Sequence, residues 1–562
     1  MDQRPWFANY PKEVQPKQDV PPVPLTHYLK EAVKLYPSHT AVSFFGGKMS
    51  YRELLQEAYR FANALSHLGV GRGDRVALML PNLPQYVICY YGTLLLGAVV
   101  VQTNPLYVER ELVYHLNDSG ADTIVCLDLL FPRIRSIRDK VKLKRVIVTA
   151  IPDYLPFPKN ILYPIAQKRK GVNPVEINDQ KEQIFRLKPL LRQSSAEPIP
   201  AFQVNVLEDV AVLQYTGGTT GTAKGVMLTH YNLVANVEQA KQWMYRAALG
   251  KETVLAAVPM FHVYGMTVCL NFAMAVGGKL VLLPRFEIDT LLKTIHAEKP
   301  TIFPGAPTMY IAINHHPQTA KKFDISSIQC CISGSAPLPL EVQQRFQSLS
   351  GGRLVEGYGL SECSPVTHAN PIWERSKIGS IGLPWPGTDC RIADPDTGAI
   401  LPVGEVGEME IKGPQVMKGY WNRPEETAEV LRDGWLRTGD MGYMDEDGYF
   451  YIVDRKKDLI IAGGYKIFPR ELEEVLFDHP SVLEATVIGV PDDYRGETVK
   501  AYVVLKPELT VTEEELNTYC RSKLAAYKVP RYYEFREELP KSMVGKVLRR
   551  VLQEQHRQGS GE

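Results

Sequence analysis

A segment dense in glycine and threonine, residues 216–225, follows the apolar run 210–213 and carries Lys224 near its end. Its glycines permit positive φ and let backbone N–H groups approach an anion closely, and its threonine hydroxyls add further donors. The charge of Lys224 suits a phosphate. A Walker A loop does not fit, because Lys224 neither follows a glycine nor precedes a serine or threonine. The segment predicts a site for the polyphosphate of a nucleotide, with a flexible turn as the structural alternative. The residues expected to bind are Thr216, Gly217, Gly218, Thr219, Thr220, Gly221 and Lys224.

A second segment, residues 356–362, suits the rest of a nucleotide. Glycines flank Tyr358 and leave its ring free to stack on a flat base, although a tyrosine in a turn is commonly part of a core. Glu362 supplies the kind of oxygen ligand that Mg²⁺ takes in proteins, and Mg²⁺ accompanies phosphates. Farther along, Asp440 ends a strand-like run, where its carboxylate can accept hydrogen bonds from ribose hydroxyls or simply cap a turn. Further polar segments accompany these at 333–337, 454–458, 463–466 and 540–546.

Helical and strand-like patterns alternate around these segments. Ser50 and Glu53 form a capping box that predicts a helix with an apolar face, and Gly69 ends it. Short apolar runs follow at 76–80 and 123–126, as expected of strands buried on both faces. The alternation predicts an α/β fold for the N-terminal region, with two layered α/β sheets. Where the chain becomes strand-rich, from about residue 380, we expect a small β-barrel-like subdomain.

After residue 454 the pattern changes to that of a small α+β domain. Pro469 begins a helix, strand-like runs follow at 485–490 and 500–505, and Thr512 caps another helix. We therefore predict three parts of the chain, listed by residue: an N-terminal domain at 1–454, a linker at 455–457 and a C-terminal domain at 458–562.

The composition excludes several classes of protein. Lys and Arg total 64 against 63 Asp and Glu in 562 residues, so a net charge of +1 gives no sign of a nucleic-acid-binding surface. Eight scattered cysteines indicate neither a disulfide framework nor a zinc site, and reduced cysteines favour a cytoplasmic protein. The N-terminus lacks the basic and then apolar order of a signal peptide. The most apolar stretch, 86–101, is shorter than the ~20 residues of a membrane span, so we expect a buried helix followed by a strand.

Residues 155–205 are rich in proline, lysine, arginine and glutamine and poor in apolar repeats. This composition predicts a surface excursion, and a solvated connection between elements is the simpler interpretation. The alternative is a basic patch, at Lys168, Arg169 and Lys170, that contacts anionic lipid at the inner face of the cell membrane.

In this order, the polar segments resemble those of the acyl-adenylate-forming superfamily, which includes acyl-CoA synthetases, firefly luciferase and the adenylation domains of peptide synthetases. The resemblance covers nearly the whole chain and depends on several independent motifs. Within the superfamily, the chain looks closest to bacterial long-chain fatty acid–CoA ligases. That closer resemblance rests on residues 213–221, on residues 101–107 and on the length and position of the basic excursion. Many relatives carry serine at the position of Gly217.

The resemblance implies a two-step reaction. A fatty acid carboxylate attacks the α-phosphorus of MgATP to give acyl-AMP and pyrophosphate, and the thiol of coenzyme A then attacks the acyl carbonyl to give acyl-CoA and AMP. Because two anions must meet in the first step, positive charge and positioning should dominate catalysis. The expected ligands are the fatty acid, ATP, Mg²⁺ and coenzyme A, and a monomer and a homodimer both remain open.

The resemblance also assigns roles to residues. Lys546 matches the lysine that bridges the charges of the carboxylate and the α-phosphate. Thr216 and Glu362 match the groups at the magnesium ion, and Ser361 matches the hydroxyl on the α-phosphate. His262 matches a residue beside the carboxylate, but it is equally well interpreted as a core histidine. The threonine hydroxyls and lysine of the first segment match the grip on the β- and γ-phosphates. The expected adenine and ribose contacts are Gly334, Ser335, Ala336, Glu356, Gly357, Tyr358, Gly359, Asp440 and Arg455.

In this superfamily the small domain rotates between the two steps, which makes Lys457 the hinge. The resemblance assigns coenzyme A to Gly463, Gly464 and Lys466. For the acyl chain, Phe261, Tyr264, Met266 and residues 303–308 are candidates to line a tunnel that Gly305 leaves open. The alternatives are a CoA ligase of medium-chain or aryl acids, an enzyme that loads a carrier-protein thiol, and a binding protein without turnover. The last would be expected to lose Lys546 or Glu362, and both are present.

Overall fold

The structure, a computed structural model, describes residues 4–169, 183–200, 202–216, 223–462, 465–492, 495–542 and 545–559. The chain divides into two compact units. Residues 9–389 and 412–434 form one, here called the large unit, and residues 1–8, 390–411 and 435–562 form the other, the small unit.

An eight-stranded sheet forms the first part of the large unit. Its strands, in spatial order, are Gly419–Tyr420, Lys224–Thr229, Val210–Thr216, Val99–Gln102, Arg75–Met79, Thr123–Leu127, Arg145–Thr149 and Ile184–Arg186. The last six are mutually parallel; at one edge, Lys224–Thr229 pairs antiparallel with Val210–Thr216, and Gly419–Tyr420 pairs antiparallel with Lys224–Thr229. Ala77, Ile124 and Leu213 are fully buried in its core, as their apolar runs predict.

Two four-stranded sheets form the second part of the large unit. One contains the strands Thr253–Ala256, Lys279–Leu282, Thr40–Phe44 and Gly47–Ser50, and the other contains Cys330–Ser333, Arg353–Gly359, Val366–Ala369 and Leu383–Pro384. Parallel bridges from Ile302 to Val254 and to Cys330 join them. The first two strands of the second sheet are parallel, so their carboxyl ends lie at one edge.

The helices of the large unit connect these strands. They are Thr26–Leu35, Tyr51–His67, Pro84–Leu95, Glu109–Ser119, Phe131–Ser136, Lys159–Arg169, Leu187–Gln193, His230–Trp243, Val263–Gly265, Phe272–Ala275, Ile288–Glu298, Pro307–His315, Thr319–Lys322, Leu340–Ser350 and Pro424–Val430, and the short strand Leu431–Arg432 follows the last. The predicted capping box at Ser50 is present, and such a cap contributes about 1 kcal/mol. The apolar face of that helix is buried, and Gly69 lies just past its end with φ of +76°, so this prediction is confirmed.

The most apolar stretch of sequence forms the helix Pro84–Leu95 and the strand Val99–Gln102. Every residue of both elements is buried, which confirms the predicted helix followed by a strand. Among the described residues, no helix combines the length and the apolar character needed to cross a membrane.

The basic excursion differs from its prediction in its second half. The helix Lys159–Arg169 has no buried residue, as expected of a surface segment. The strand Ile184–Arg186, however, pairs with the eight-stranded sheet, and Leu187 and Leu191 in the following helix are buried. The prediction of a continuous solvated connection is therefore wrong here. The edge of the sheet supplies the backbone hydrogen bonds for one more strand, and a few buried apolar side chains suffice to hold it. Lys170 lies outside the described residues.

The small unit contains two further sheets. Within the small unit, the first contains the strands Asp389–Ala393, Gly407–Lys412, Trp435–Met444 and Phe450–Arg455. A hairpin with Asp447–Gly448 at its turn joins its last two strands. The second sheet comprises Tyr465–Ile467, Ile460–Ala462, Gly496–Leu505, Val482–Asp492 and Tyr532–Phe535, and the helices are Pro469–Phe477, Glu513–Lys523 and Arg549–Gly559. The predicted cap at Thr512 is present, with its reciprocal partner Glu515.

The predicted fold class is confirmed: the protein is a mixed α/β protein with several layered sheets and a small α+β C-terminal part. The boundary proposed at 455–457 lies inside the small unit and stays a prediction. All eight cysteines are buried free thiols.

Candidate active site

Two antiparallel strands of the large unit, here called the hairpin, flank the glycine- and threonine-rich segment. The strand Val210–Thr216 leads into it, the antiparallel strand Lys224–Thr229 leads out, and Thr216 and Lys224 are paired directly across the hairpin. This pairing brings the first hydroxyl and the lysine of the segment to one end of the sheet. Gly217, Gly218, Thr219, Thr220 and Gly221 lie outside the described residues, and their roles stay predictions.

A polar network holds the base of this hairpin. The Tyr215 hydroxyl donates to Asp118 over 2.7 Å, and the guanidinium of Arg423 donates to the same carboxylate over 2.6 Å. The Tyr114 hydroxyl donates to the carbonyl of Ala223 over 2.8 Å. Burial, together with Asp118, raises the pKa of Tyr215, which keeps its hydroxyl protonated and donating. The protein thus fixes both strands of the hairpin with its own groups.

Lys224 has a counter-charge within the protein. It forms an ion pair with Glu426, which lies in the first turn of the helix Pro424–Val430. Its ammonium also lies 5.0 Å from the centre of the Tyr420 ring, a cation–π distance. The side chain is only 17% exposed. A phosphate that reaches Lys224 must therefore share it with Glu426 or displace that carboxylate.

Tyr420 also contacts the candidate magnesium ligand. Its hydroxyl donates to Glu362 Oε1 over 2.8 Å, and the N–H of Met417 donates to the carbonyl of Glu362 over 2.7 Å. Burial and the Glu362 carboxylate raise the pKa of Tyr420, so the phenol remains the donor. The oxygen donors of Glu362 and Thr216 fit Mg²⁺, which takes few protein carboxylates and completes its octahedron with phosphate oxygens and water.

Neither Tyr420 nor Glu426 is among the predicted site residues. Tyr420 reaches the site through the antiparallel pairing of its strand with Lys224–Thr229, which no local sequence pattern indicates. No local pattern links Glu426 to Lys224, because the two lie far apart in sequence and meet only through sheet pairing.

The predicted adenine segments lie at the shared carboxyl edge of two parallel strands. Gly334, Ser335 and Ala336 follow Cys330–Ser333, and residues 356–359 end the neighbouring strand Arg353–Gly359. The buried carboxylate of Glu356 accepts the N–H of Leu338 over 3.1 Å. The structure thus brings these predicted residues together, as expected for ligand sites at the carboxyl ends of parallel strands.

The glycines beside Tyr358 permit close packing. A Cβ on Gly357 would lie 2.7 Å from the Ile332 side chain, and one on Gly359 would lie 2.2 Å from the carbonyl oxygen of Pro365. Neither position has room for a side chain. The half-buried Tyr358 ring makes an edge contact with His368 at 6.0 Å between centroids. Its place on the final strand residues, followed by Ser361 and Glu362 in a short turn, is consistent with the predicted base contact.

His262 caps a short helix, and its neighbour Tyr264 belongs to the core. The ring nitrogen Nδ1 of His262 accepts the N–H of Tyr264 over 3.3 Å, and the imidazole is half-buried. The Tyr264 hydroxyl donates to the carbonyl of Ile332 over 2.6 Å. A Cβ on Gly334 would lie 3.3 Å from the Tyr264 ring. Tyr264 therefore supports the candidate adenine segment, while both interpretations of His262 stay open.

Gly305 does not leave an open channel in the direction of its missing side chain. A Cβ there would lie 2.8 Å from the hydroxyl of Tyr310, whose ring is fully buried. The Tyr310 hydroxyl donates to the carbonyl of Phe303 over 2.9 Å, which fixes the ring in that position. The expectation of a tunnel opened by Gly305 is wrong at this point, because the ring of Tyr310 fills the space. Phe261 and Met266 are also buried.

In the small unit, the predicted ribose residues are neighbours. Asp440 and Arg455 are direct partners on adjacent antiparallel strands, and the Arg455 Nε lies 3.3 Å from Asp440 Oδ1. Asp440 is mostly buried, whereas the Arg455 side chain is 41% exposed. This pairing fixes the orientation of the Asp440 carboxylate.

Lys546 lies in the electrostatic surroundings of the same pair. Burial lowers the pKa of Lys546 to about 7, Arg455 and Lys457 act in the same direction, and Asp440 and Asp458 oppose them. A hydrogen bond from the N–H of Ser542 to the carbonyl of Lys546 and a bridge from Lys541 to Val547 hold Lys546 in place. Lys546 therefore lies within electrostatic reach of the predicted ribose residues.

The remaining predicted residues of the small unit concern the hinge and coenzyme A. Lys457 is exposed and lies two residues after the end of the strand Phe450–Arg455. Lys466 lies on the strand Tyr465–Ile467, and Gly463 and Gly464 lie outside the described residues. Their roles stay predictions.

Known proteins resemble this chain along almost its full length. The sequence model described as "AMP-binding enzyme" matches residues 29–421, and "AMP-binding enzyme C-terminal domain" matches residues 471–546. The long-chain-fatty-acid–CoA ligase of Bacillus subtilis (strain 168) is 53% identical over 554 residues, 98% of each chain. The structure of an anthranilate CoA ligase in complex with anthranoyl-AMP has a TM-score of 0.84 at 28% identity and covers 97% of this chain and 99% of that chain. ATP-bound MatB from Rhodopseudomonas palustris has a TM-score of 0.83 at 30% identity, with 95% and 99% covered.

Proposed function

Because this chain belongs to the family of AMP-binding enzymes, we propose that it activates long-chain fatty acids with ATP and coenzyme A through an acyl-AMP intermediate. The observation that carries the proposal is the 53% identity, over 98% of both chains, to a ligase named for that substrate. Similar structures with bound ATP and with bound anthranoyl-AMP support the nucleotide and acyl-adenylate steps. At the level of the family, the resemblance inferred from the sequence motifs is confirmed.

The first step joins two anions. A carboxylate oxygen of the fatty acid attacks the α-phosphorus of ATP, the bond from that phosphorus to the bridging oxygen breaks, and pyrophosphate leaves. Thr216 and Lys224, which are paired across the hairpin, would contact the β- and γ-phosphates, and Glu362, which accepts a hydrogen bond from Tyr420, would hold the metal. Mg²⁺, when bound, neutralises phosphate charge. The base would rest between the Gly334–Ala336 segment and Tyr358.

Lys546 supplies the charge that the two anions need as they approach. In the protein without ligand, burial lowers its pKa to about 7, so a proton and a positive charge are held there weakly. An anion that approaches the ammonium favours the charged form and raises this pKa again. Asp440 beside it would accept hydrogen bonds from the ribose hydroxyls.

The second step needs a different set of groups. The thiolate sulfur of coenzyme A attacks the acyl carbonyl, the bond to the phosphate oxygen breaks, AMP leaves, and the thiol proton passes to solvent. We assign Lys457 as the hinge between the two arrangements and residues 463–466 as the approach for coenzyme A. Lys457→Pro should spare acyl-AMP formation and slow thioester formation; equal loss of both would count against this hinge.

The choice of acid is tested by one assay. Release of pyrophosphate is measured with palmitate, octanoate and 4-coumarate, each with and without coenzyme A, and acyl-CoA is identified by mass spectrometry. We expect palmitate to be the best substrate and acyl-CoA to require all three substrates. Preference for octanoate or 4-coumarate would instead indicate a medium-chain or aryl ligase, and pyrophosphate release without acyl-CoA would indicate another thiol acceptor. No pyrophosphate with any acid would overturn the enzyme assignment.

The proposal includes contact with a membrane surface. Phe157, Ile161, Leu162 and Ile165, on and just before the helix Lys159–Arg169, are between 48% and 79% exposed. Lysines and an arginine flank these apolar side chains, a combination suited to an anionic lipid interface. This would place a cytoplasmic enzyme against the inner face of the cell membrane, where long-chain acids partition.

Vesicle sedimentation tests this surface. Binding to phosphatidylglycerol vesicles should fall about tenfold in a double variant, Ile161→Ser with Leu162→Ser, because two apolar side chains leave the interface. Leu249→Ser, which changes an equally exposed leucine elsewhere on the large unit, is the matched control and should bind as the parent does. Equal binding by all three proteins would remove the membrane contact from the proposal.

Sedimentation equilibrium of the same preparation decides between a monomer and a homodimer.

A further inference from the structure

Asp454 is a buried carboxylate directly before the predicted hinge at 455–457. It lies near the end of the strand Phe450–Arg455, and its side chain is only 3% exposed. Burial raises the pKa of Asp454, and the neighbouring charge of Arg549 opposes that rise. A carboxylate in such a place is retained only when hydrogen-bonded partners compensate its desolvation.

Two of the partners of Asp454 come from beyond the hinge. The backbone N–H of Arg470 donates to Oδ2 over 2.9 Å, and the guanidinium of Arg549 donates to Oδ1 over 3.2 Å. Arg470 lies in the first turn of the helix Pro469–Phe477, where the helix dipole also favours a negative charge. Arg549 follows Lys546 by three residues. One carboxylate thus ties the chain before the hinge to two elements after it.

The other partners of Arg549 lie on its own side of the hinge. Arg549 donates to Asp458 over 2.9 Å and to both oxygens of Glu473 over 2.8 Å. A backbone rotation within 455–457 can leave the contact between Arg549 and Glu473 unchanged. Of these three carboxylates, Asp454 alone precedes the hinge, so its contacts are the ones that such a rotation must break.

We propose that Asp454 and Arg549 form a latch across the hinge that holds Lys546 in the arrangement found beside Asp440 and Arg455. The inference rests on the proposed function, since the latch matters to catalysis only if the enzyme alternates between two steps. A closed latch favours acyl-AMP formation, and the latch must open before coenzyme A reacts. Asp454 is therefore a positioning residue that acts through Lys546.

Measurement of the two half-reactions tests the latch. Asp454→Asn should slow acyl-AMP formation about tenfold relative to acyl-CoA formation from supplied acyl-AMP, which corresponds to about 1.4 kcal/mol. Glu473→Gln is the matched control, because it also weakens a contact of Arg549 but none across the hinge. Glu473→Gln should lower the melting temperature and leave the ratio of the two half-reaction rates as it is in the parent protein. Arg549→Lys, which keeps the charge, should lie between the parent and Asp454→Asn. An unchanged ratio in Asp454→Asn, or an equal change in Glu473→Gln, would overturn the latch.

Limited trypsin digestion tests the latch independently of any activity. The hinge offers Arg455, Lys456 and Lys457 as cleavage sites, and the last two are exposed. Well below the melting temperature, cleavage there should be about tenfold faster in Asp454→Asn, because a hinge that opens more often is cut more often. Glu473→Gln should be cut at the parental rate. If no acid were activated, the cleavage difference would still stand and only the proposed function would fall. If cleavage did not differ, the latch would fall even in an active enzyme.

Discussion

Two lysines are expected to meet phosphate charge, and their surroundings differ. In the large unit, Lys224 is paired with Glu426 and lies over the ring of Tyr420. In the small unit, burial lowers the pKa of Lys546 to about 7, and the nearby positive charge of Arg455 acts in the same direction. The protein compensates the first charge and leaves the second partly uncompensated. Lys224 is therefore suited to hold a hairpin in shape, whereas Lys546 gains most from the arrival of substrate anions.

Removal of Lys546 should have the largest effect. Lys546→Ala should slow acyl-AMP formation about 10³-fold, because a charge positioned at the reacting centre typically contributes on that scale. Acyl-CoA formation from supplied acyl-AMP should change much less, and rapid-quench measurement of each half-reaction would show the difference. An equal loss in both half-reactions would mean that Lys546 does not act specifically in the first step.

The pH dependence should reveal the lowered pKa of Lys546. Because the folded-state pKa lies near 7, the charged form is complete below that pH and declines above it. The kcat/KM of acyl-AMP formation should therefore fall about tenfold for each pH unit above the pKa. Lys546→Arg is the control. Because a guanidinium stays charged in this pH range, the decline of kcat/KM above pH 7 should disappear in this variant unless it comes from the titration of ATP. An identical decline of kcat/KM in both proteins would assign the titration to the substrate.

Local patterns predicted the elements of the fold well, and contacts between distant residues set the limit. Ser50 and Thr512 cap their helices as their sequences indicate, because a capping box needs only residues three apart. The expectation that Gly305 leaves a tunnel open is wrong because the absence of a side chain does not indicate which neighbouring residue fills the space. Here the neighbour is Tyr310. The partners Glu426 and Tyr420 were missed for a related reason, since sheet pairing and not sequence proximity brings them to Lys224 and Glu362.

Removal of Lys224 should cost less than removal of Lys546. Lys224→Met should raise the KM for MgATP about tenfold, because it removes a partly compensated charge and leaves Glu426 facing the phosphates. The double variant with Glu426→Gln should recover part of that loss, which a double-mutant cycle on initial rates measures. If the double variant recovered nothing, Glu426 would not share Lys224 with the nucleotide, and the contrast between the two lysines would weaken.

The smallest effect is expected at Tyr420. Tyr420→Phe keeps the ring beneath Lys224 and removes only the hydroxyl that donates to Glu362 over 2.8 Å. Loss of one hydrogen bond to a charged group should raise the Mg²⁺ concentration for half-maximal acyl-AMP formation about fivefold, because a less restrained carboxylate binds metal less well. Tyr245→Phe is the matched control, since it also removes a hydroxyl that donates to a glutamate, Glu374, elsewhere in the large unit. If both variants kept the parental Mg²⁺ dependence, Tyr420 would serve only the cation–π contact with Lys224. If Tyr420→Phe instead raised the KM for ATP at saturating Mg²⁺, its hydroxyl would act on the phosphate side of the hairpin, together with Lys224.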